Sequence, residues 1–90
     1  MIDPGSTVAR NDGVVEAQFD ETRVVLNEDL AYLGLNEVGQ QIWDLIESPR
    51  TLASLVAELV EDYDVSEADC TRDVTRYVEA LVEHKLVRLS

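Results

Sequence analysis

Between Leu26 and Ile46 the sequence LNEDLAYLGLNEVGQQIWDLI changes its hydrophobic period, so the chain must pass from strand to helix almost without a connection. Up to Leu35 the apolar residues fall at every second position, Leu33 and Leu35 with Leu26 and Leu30 behind them, which is the spacing of a half-buried strand. After Asn36 the rule is different. Val38, Ile42, Leu45 and Ile46 recur at spacings of three and four, one face of a helix, and the short polar side chain of Asn36 suits a helix N-cap.

The rest of the chain is organised around that junction. Residues 1–7, with Pro4, Gly5 and Ser6, read as a flexible lead-in, and residues 8–90 as a single domain. Around Val14 to Phe19, Val15, Ala17 and Phe19 alternate with Glu16 and Gln18, a strand with one apolar face preceded by the turn residues Asn11-Asp12-Gly13. Residues 8–10 are a candidate extension of that strand. Asp20-Glu21-Thr22 reverses the chain into Arg23 to Leu26, and Asn27-Glu28-Asp29 reverses it again into Ala31 to Leu35, giving an antiparallel meander.

Three helices follow. The first runs from Glu37 to Glu47 and is stopped by Ser48-Pro49, because the residue before a proline is pushed out of the helical region. The second is capped by Thr51 and carries the stripe Leu52, Leu55, Val56, Leu59, Val60 and Tyr63. The third is capped by Ser66, with Asp69 three residues on, and carries Val74, Tyr77, Val78, Leu81 and Val82. The tail alternates again at Leu86, Val87 and Leu89. The expected fold is α+β and winged helix-turn-helix-like, an N-terminal three-stranded antiparallel sheet followed by three helices.

Composition excludes more than it identifies. With 19 acidic against 7 basic residues the formal net charge is -12, which repels phosphate and argues against nucleic acid or an anionic membrane as partner. The single cysteine, Cys70, has no companion for a disulfide or a metal site, and a reducing compartment fits it best. No stretch reads as a secretory signal or a membrane span, so a cytoplasmic protein is expected. The inventory for catalysis is equally thin. His84, the only histidine, falls at the end of the third helix, where it suits the helix dipole, and Cys70 falls on that helix's apolar side as a packed thiol. No nucleophile elbow, phosphate loop or metal-ligand spacing occurs, so neither an enzyme nor a bound cofactor is expected. An acyl or peptidyl carrier is a weak alternative, because Ser66 is followed by Glu67 and Ser54 is preceded by Ala53, unlike the modified serine of carriers.

From Leu35 to Val87 the chain resembles the pyrroloquinoline quinone biosynthesis protein D family and its relatives, the recognition elements for ribosomally made precursor peptides. The matching features come in order: Leu35-Asn36, Gly39, Ile42-Trp43, Pro49-Arg50-Thr51-Leu52, Asp73-Val74 and the closing Leu81 to Val87. The layout is most similar to the stand-alone members of lasso-peptide pathways. Lys85 stands where such proteins often carry glycine, which implies a different turn into the tail.

The resemblance implies a non-catalytic adaptor. In that family the third strand of the meander is an edge to which the leader segment of a precursor peptide adds as a further strand, before a separate enzyme such as a leader peptidase acts on it. Carried onto this chain, the strand residues are Ala31, Tyr32, Leu33, Gly34 and Leu35, about 16 Å at roughly 3.3 Å per residue. The candidate residues of the third helix are Cys70, Asp73, Val74, Arg76 and Tyr77, with Tyr77 as an apolar platform and Asp73 and Arg76 as charged selectors. Gly34 either admits another backbone or merely fits the tight junction, while Trp43 reads as a core anchor. The implied partners are a leader peptide and a processing enzyme, and the protein itself is expected as a monomer or weak dimer. A winged-helix DNA-binding regulator using Arg72 and Arg76 is the alternative, opposed by the charge.

Overall fold

In the computed structural model, which describes residues 2–29 and 32–90, the period switch is the junction of strand β4 (Tyr32–Leu35) and helix α1 (Glu37–Leu45). The Asn36 side chain accepts a hydrogen bond from the Gly39 amide at 2.8 Å and caps α1. The other two expected caps are also in place. Thr51 Oγ1 accepts from the Ser54 amide at the start of α2 (Leu52–Asp62), and Ser66 Oγ accepts from the Asp69 amide at the start of α3 (Glu67–Glu83).

The meander forms as the sequence pattern requires: β2 (Val15–Phe19), β3 (Thr22–Leu26) and β4 make one antiparallel sheet with β3 in the middle. Val25 pairs with Leu33 and Val24 with Gly34 across β3 and β4. A second sheet has no counterpart in the sequence reading. Strand β1 (Thr7–Arg10) lies between β5 (Arg50–Thr51) and β6 (Val87–Leu89), antiparallel to both, so residues 8–10 do not extend β2. Alternation in the tail marks β6 as a strand, but nothing in local spacing names a partner some eighty residues away. The lead-in is drawn into this sheet too. The first amides of a helix lack partners within it, and in α2 the Leu52 and Ala53 amides donate to the carbonyls of Ser6 and Pro4 at 2.9 and 3.0 Å.

The core lies between the helices and the two sheets. Ile42, Trp43 and Ile46 of α1 meet Leu55 and Leu59 of α2, Val74, Val78 and Leu81 of α3, and Val8, Val25 and Leu35 of the strands. Trp43 is buried, as expected of a core anchor. The Arg10 guanidinium lies 4.4 Å above its ring and donates to the Trp43 carbonyl, which ties β1 to α1. One face of the meander does not reach this core: Val15 and Phe19 of β2 are 60% and 63% exposed, and Tyr32 of β4 is 67% exposed.

Helix α3 ends without the change of turn implied at Lys85. The Lys85 amide donates to the Val82 carbonyl and the Leu86 amide to the Leu81 carbonyl, both at 2.9 Å, with Lys85 at φ 59. This is the left-handed C-terminal cap that glycine adopts most readily. A side chain there costs roughly 1 kcal/mol. Replacing it, Lys85→Gly, is therefore expected to stabilise the fold by about 0.5–1 kcal/mol in urea unfolding, because the turn is kept and its strain removed.

Candidate functional site

The two-residue hairpin at Asp20-Glu21 decides which main-chain groups of the meander face outward. Phe19 and Thr22 flank that turn as a pair and can close only as a hydrogen-bonded pair, so Thr22, Val24 and Leu26 direct their amides and carbonyls toward β2. Arg23 and Val25 then direct theirs toward β4, where they meet Leu35 and Leu33. What remains on β4 is a free row. The N–H and C=O groups of Tyr32 and Gly34 point away from β3 along an open edge, since β4 ends the sheet. Side chains follow the opposite assignment: Leu33 and Leu35 turn toward the core, Tyr32 and Gly34 toward the exposed face. A Cβ on Gly34 would meet only Thr22 Cγ2, at 3.8 Å, so a tight strand-to-helix fit does not require glycine here. Ala31, the remaining strand candidate, lies outside the described residues.

Of the α3 candidates, Tyr77 is the one brought to this edge. Its ring lies over Gly39 in the first turn of α1, and the Asn36 backbone N–H, immediately after β4, donates to the phenol oxygen. A Cβ on Gly39 would collide with the Tyr77 hydroxyl and ring, so the glycine inside α1 is the seat of the tyrosine. Burial raises the Tyr77 phenol above its ordinary value, partly offset by that amide. Tyr77 is half-buried and joins α3 to the β4–α1 junction.

The other candidates divide by burial. Cys70 and Val74, 6% and 1% exposed, are packed in the core, with Cys70 Sγ against the Val56 carbonyl of α2 at 3.9 Å; neither is presented to a ligand. Asp73 is exposed, 3.8 Å from Arg72, which also pairs with Asp69 at 3.0 Å. Arg76 is exposed and forms no ion pair among the described residues. His84, expected at the end of the third helix where it suits the dipole, is the C-cap residue of α3. At 100° per residue it falls on the same flank of α3 as Tyr77, with Nδ1 2.8 Å from the Ala80 carbonyl and its own carbonyl accepting from Asn27 at 2.7 Å. An apolar groove of about 350 Å³ lies elsewhere, between α2 and α3, over Leu52, Val56 and Val60. Among the described residues no group of three or more His, Cys, Asp or Glu could hold a metal ion, and no helix is long and apolar enough to cross a membrane.

These features define a class of small α+β domain of winged-helix type, with three helices and an open strand edge running into a helix that a tyrosine of α3 packs over. Residues 22–87 match the model of the coenzyme PQQ synthesis protein D family, and the chain belongs to that family. It is similar to the solved structure of TbiB1 in complex with the TbiA(beta) leader peptide, with 30% sequence identity over 89% of this chain and 94% of that one and a TM-score of 0.78. It also shares its fold with lasso peptide synthetase B1 complexed with the leader peptide, at 23% identity over 90% and 96% of the two chains and a TM-score of 0.73. No curated protein sequence matches it.

Two outcomes test the clamp and its surroundings. Gly39→Ala should cost about 1–3 kcal/mol of stability by forcing the Tyr77 ring aside. In Tyr77→Ala the same change should cost much less, so a double-mutant cycle in urea would give a coupling of at least about 1 kcal/mol. Cys70 supplies a pH dependence. Burial raises its thiol above the ordinary 9.0, so its stabilisation is complete below that value and is lost as pH rises through it, because the unfolded thiol ionises first. The melting temperature should fall above about pH 9, and Cys70→Ala should flatten that decline.

Proposed function

We propose that this protein is a non-catalytic adaptor that binds the leader segment of a ribosomally synthesised precursor peptide, of the lasso type, and presents it to a separate leader peptidase. The observation that carries the reading is the open edge of β4. Two N–H and two C=O groups, from Tyr32 and Gly34, are aimed at the place where an added strand would pair. An antiparallel peptide there would place alternate side chains on the Leu33, Leu35 and Tyr77 side, where selection occurs, and the rest beside Tyr32 and Gly34. Asp73 and Arg76 stand further along α3 as charged selectors. Family membership and the likeness to TbiB1, whose structure is a leader-peptide complex, support the same reading.

The second partner has its own support. The exposed face formed by Val15, Ala17, Phe19 and Tyr32 is continuous with the peptide edge through β4. An enzyme seated on that face would meet the leader on the strand beside it, and tethering raises the local concentration of the cleavage site without new chemistry. The adaptor works as one unit over residues 8–90, in the cytoplasm and without a cofactor. For the DNA-binding alternative the chain is poorly equipped, since Arg72 is held by Asp69 and Asp73.

The test follows from the hydrogen-bond rows. Gly34→Pro removes an outward amide that β3 does not use, so the fold should persist by circular dichroism while affinity for the leader peptide encoded beside the protein falls at least about tenfold. Leu33→Pro removes an amide that β3 does use, and should unfold the sheet. Tyr77→Ala should weaken the leader by roughly 1–2 kcal/mol in calorimetric titration. Unchanged affinity in Gly34→Pro would move the peptide off this edge.

A further inference from the structure

The meander has a second open edge. Because Val15, Ala17 and Phe19 spend their main-chain groups on β3, those of Glu16 and Gln18 point outward from β2, which ends the sheet on the side opposite β4. Natural edges are usually defended by proline, lysine, a bulge or an inward charge. Strand β2, Val-Glu-Ala-Gln-Phe, has no proline or lysine, it pairs with β3 in unbroken register, and its one charge, Glu16, is bridged to Arg23.

We propose that β2 is a self-association edge, on which a second copy of this chain adds its own β2 antiparallel about a two-fold axis through Ala17. In this register the strand is complementary to itself. Val15 lies opposite Phe19 of the second copy and Phe19 opposite its Val15, so both exposed apolar side chains gain a partner on one face. On the other face Glu16 lies opposite Gln18, and the outward groups of these two residues form the hydrogen-bonded pairs. Beyond the strand Asp20 meets Val14. Competing registers fail on charge or on face. Sliding by two residues one way sets Glu16 against Glu16, and the other way sets Glu16 against Asp20; sliding by one joins the apolar face to the polar one.

The association is weak and has a definite salt dependence. A pair of five-residue strands is far smaller than the roughly 1,200–2,000 Å² of a stable interface. Each copy carries a formal net charge of -12, so approach is opposed by long-range repulsion that salt screens. Both β4 edges stay open at the far ends of the resulting six-stranded sheet, so dimerisation and leader binding are independent.

Sedimentation velocity on the full chain, over rising protein concentration and from about 50 mM to about 500 mM NaCl, tests this. The expected result is a dimer fraction that grows with both, unaffected by saturating leader peptide. Gln18→Glu, which sets two like-charge pairs across the axis, should weaken dimerisation roughly tenfold, and Gln18→Lys, which sets two opposite-charge pairs, should strengthen it. Ala17→Cys should cross-link to itself on mild oxidation, since a non-hydrogen-bonded pair on the axis brings the two Cα atoms to about 4.5 Å, within disulfide range. Val15→Cys, which faces Phe19 instead, should not. A monomer at every concentration and salt would overturn the proposal. So would a dimer indifferent to both Gln18 substitutions, and one that leader peptide dissociates would lie on β4 instead.

Discussion

Everything distinctive about this protein depends on how three short strands distribute their main-chain hydrogen bonds. The two outer strands of a three-stranded meander carry four rows of main-chain groups, two inward and two outward. Strand β3 satisfies the two inner rows, and the hairpin at Asp20-Glu21 fixes which residues carry them. The outer rows, Tyr32 with Gly34 on one side and Glu16 with Gln18 on the other, have no strand beside them. In water such groups cost little, because solvent satisfies them, but any peptide that pairs with them gains both direction and register.

The helices make that offer rigid. Strand β4 is held at its C-terminal end by the Asn36 cap, by the burial of Leu35 and by Tyr77, whose ring fills the space that Gly39 leaves over α1. A methyl at position 39 would break this clamp. Electrostatics works in the same restrained way. In a chain with 19 carboxylates, most guanidinium groups are individually engaged: Arg23 by Glu16 and Asp44, Arg50 by Glu58, Arg72 by Asp69 and Asp73, and Arg10 by the Trp43 ring. What remains toward solvent is an acidic surface interrupted by one apolar sheet face, which disfavours phosphate.

Much of this was legible in the sequence, and for identifiable reasons. Period two changing to period three-and-a-half at Asn36, and the caps Asn36, Thr51 and Ser66, are local signals between residues a few positions apart, so they fix the elements and the order of the meander. Helical angle puts Tyr77 on the flank of α3 that the resemblance marks, and the structure sets its ring over Gly39. The same angle sets Cys70 beside Tyr77 and Val74 on the core line, but does not say how far a neighbouring helix covers them; both side chains are buried, with α2 against Cys70.

What the sequence determined by itself was therefore the meander and the three helices, their caps, the acidic charge and a strand leading straight into a helix. Tertiary structure alone decided which strands became edges, that β1 joins β5 and β6 rather than β2, and that Val15 and Phe19 face outward instead of inward. The physical reason is range. A hydrogen-bonding row or an apolar face is exposed or covered according to what packs beside it. For β1 that neighbour is the tail of the chain, whereas β2 and β4 end their sheet with no strand beside their outer edges among the described residues.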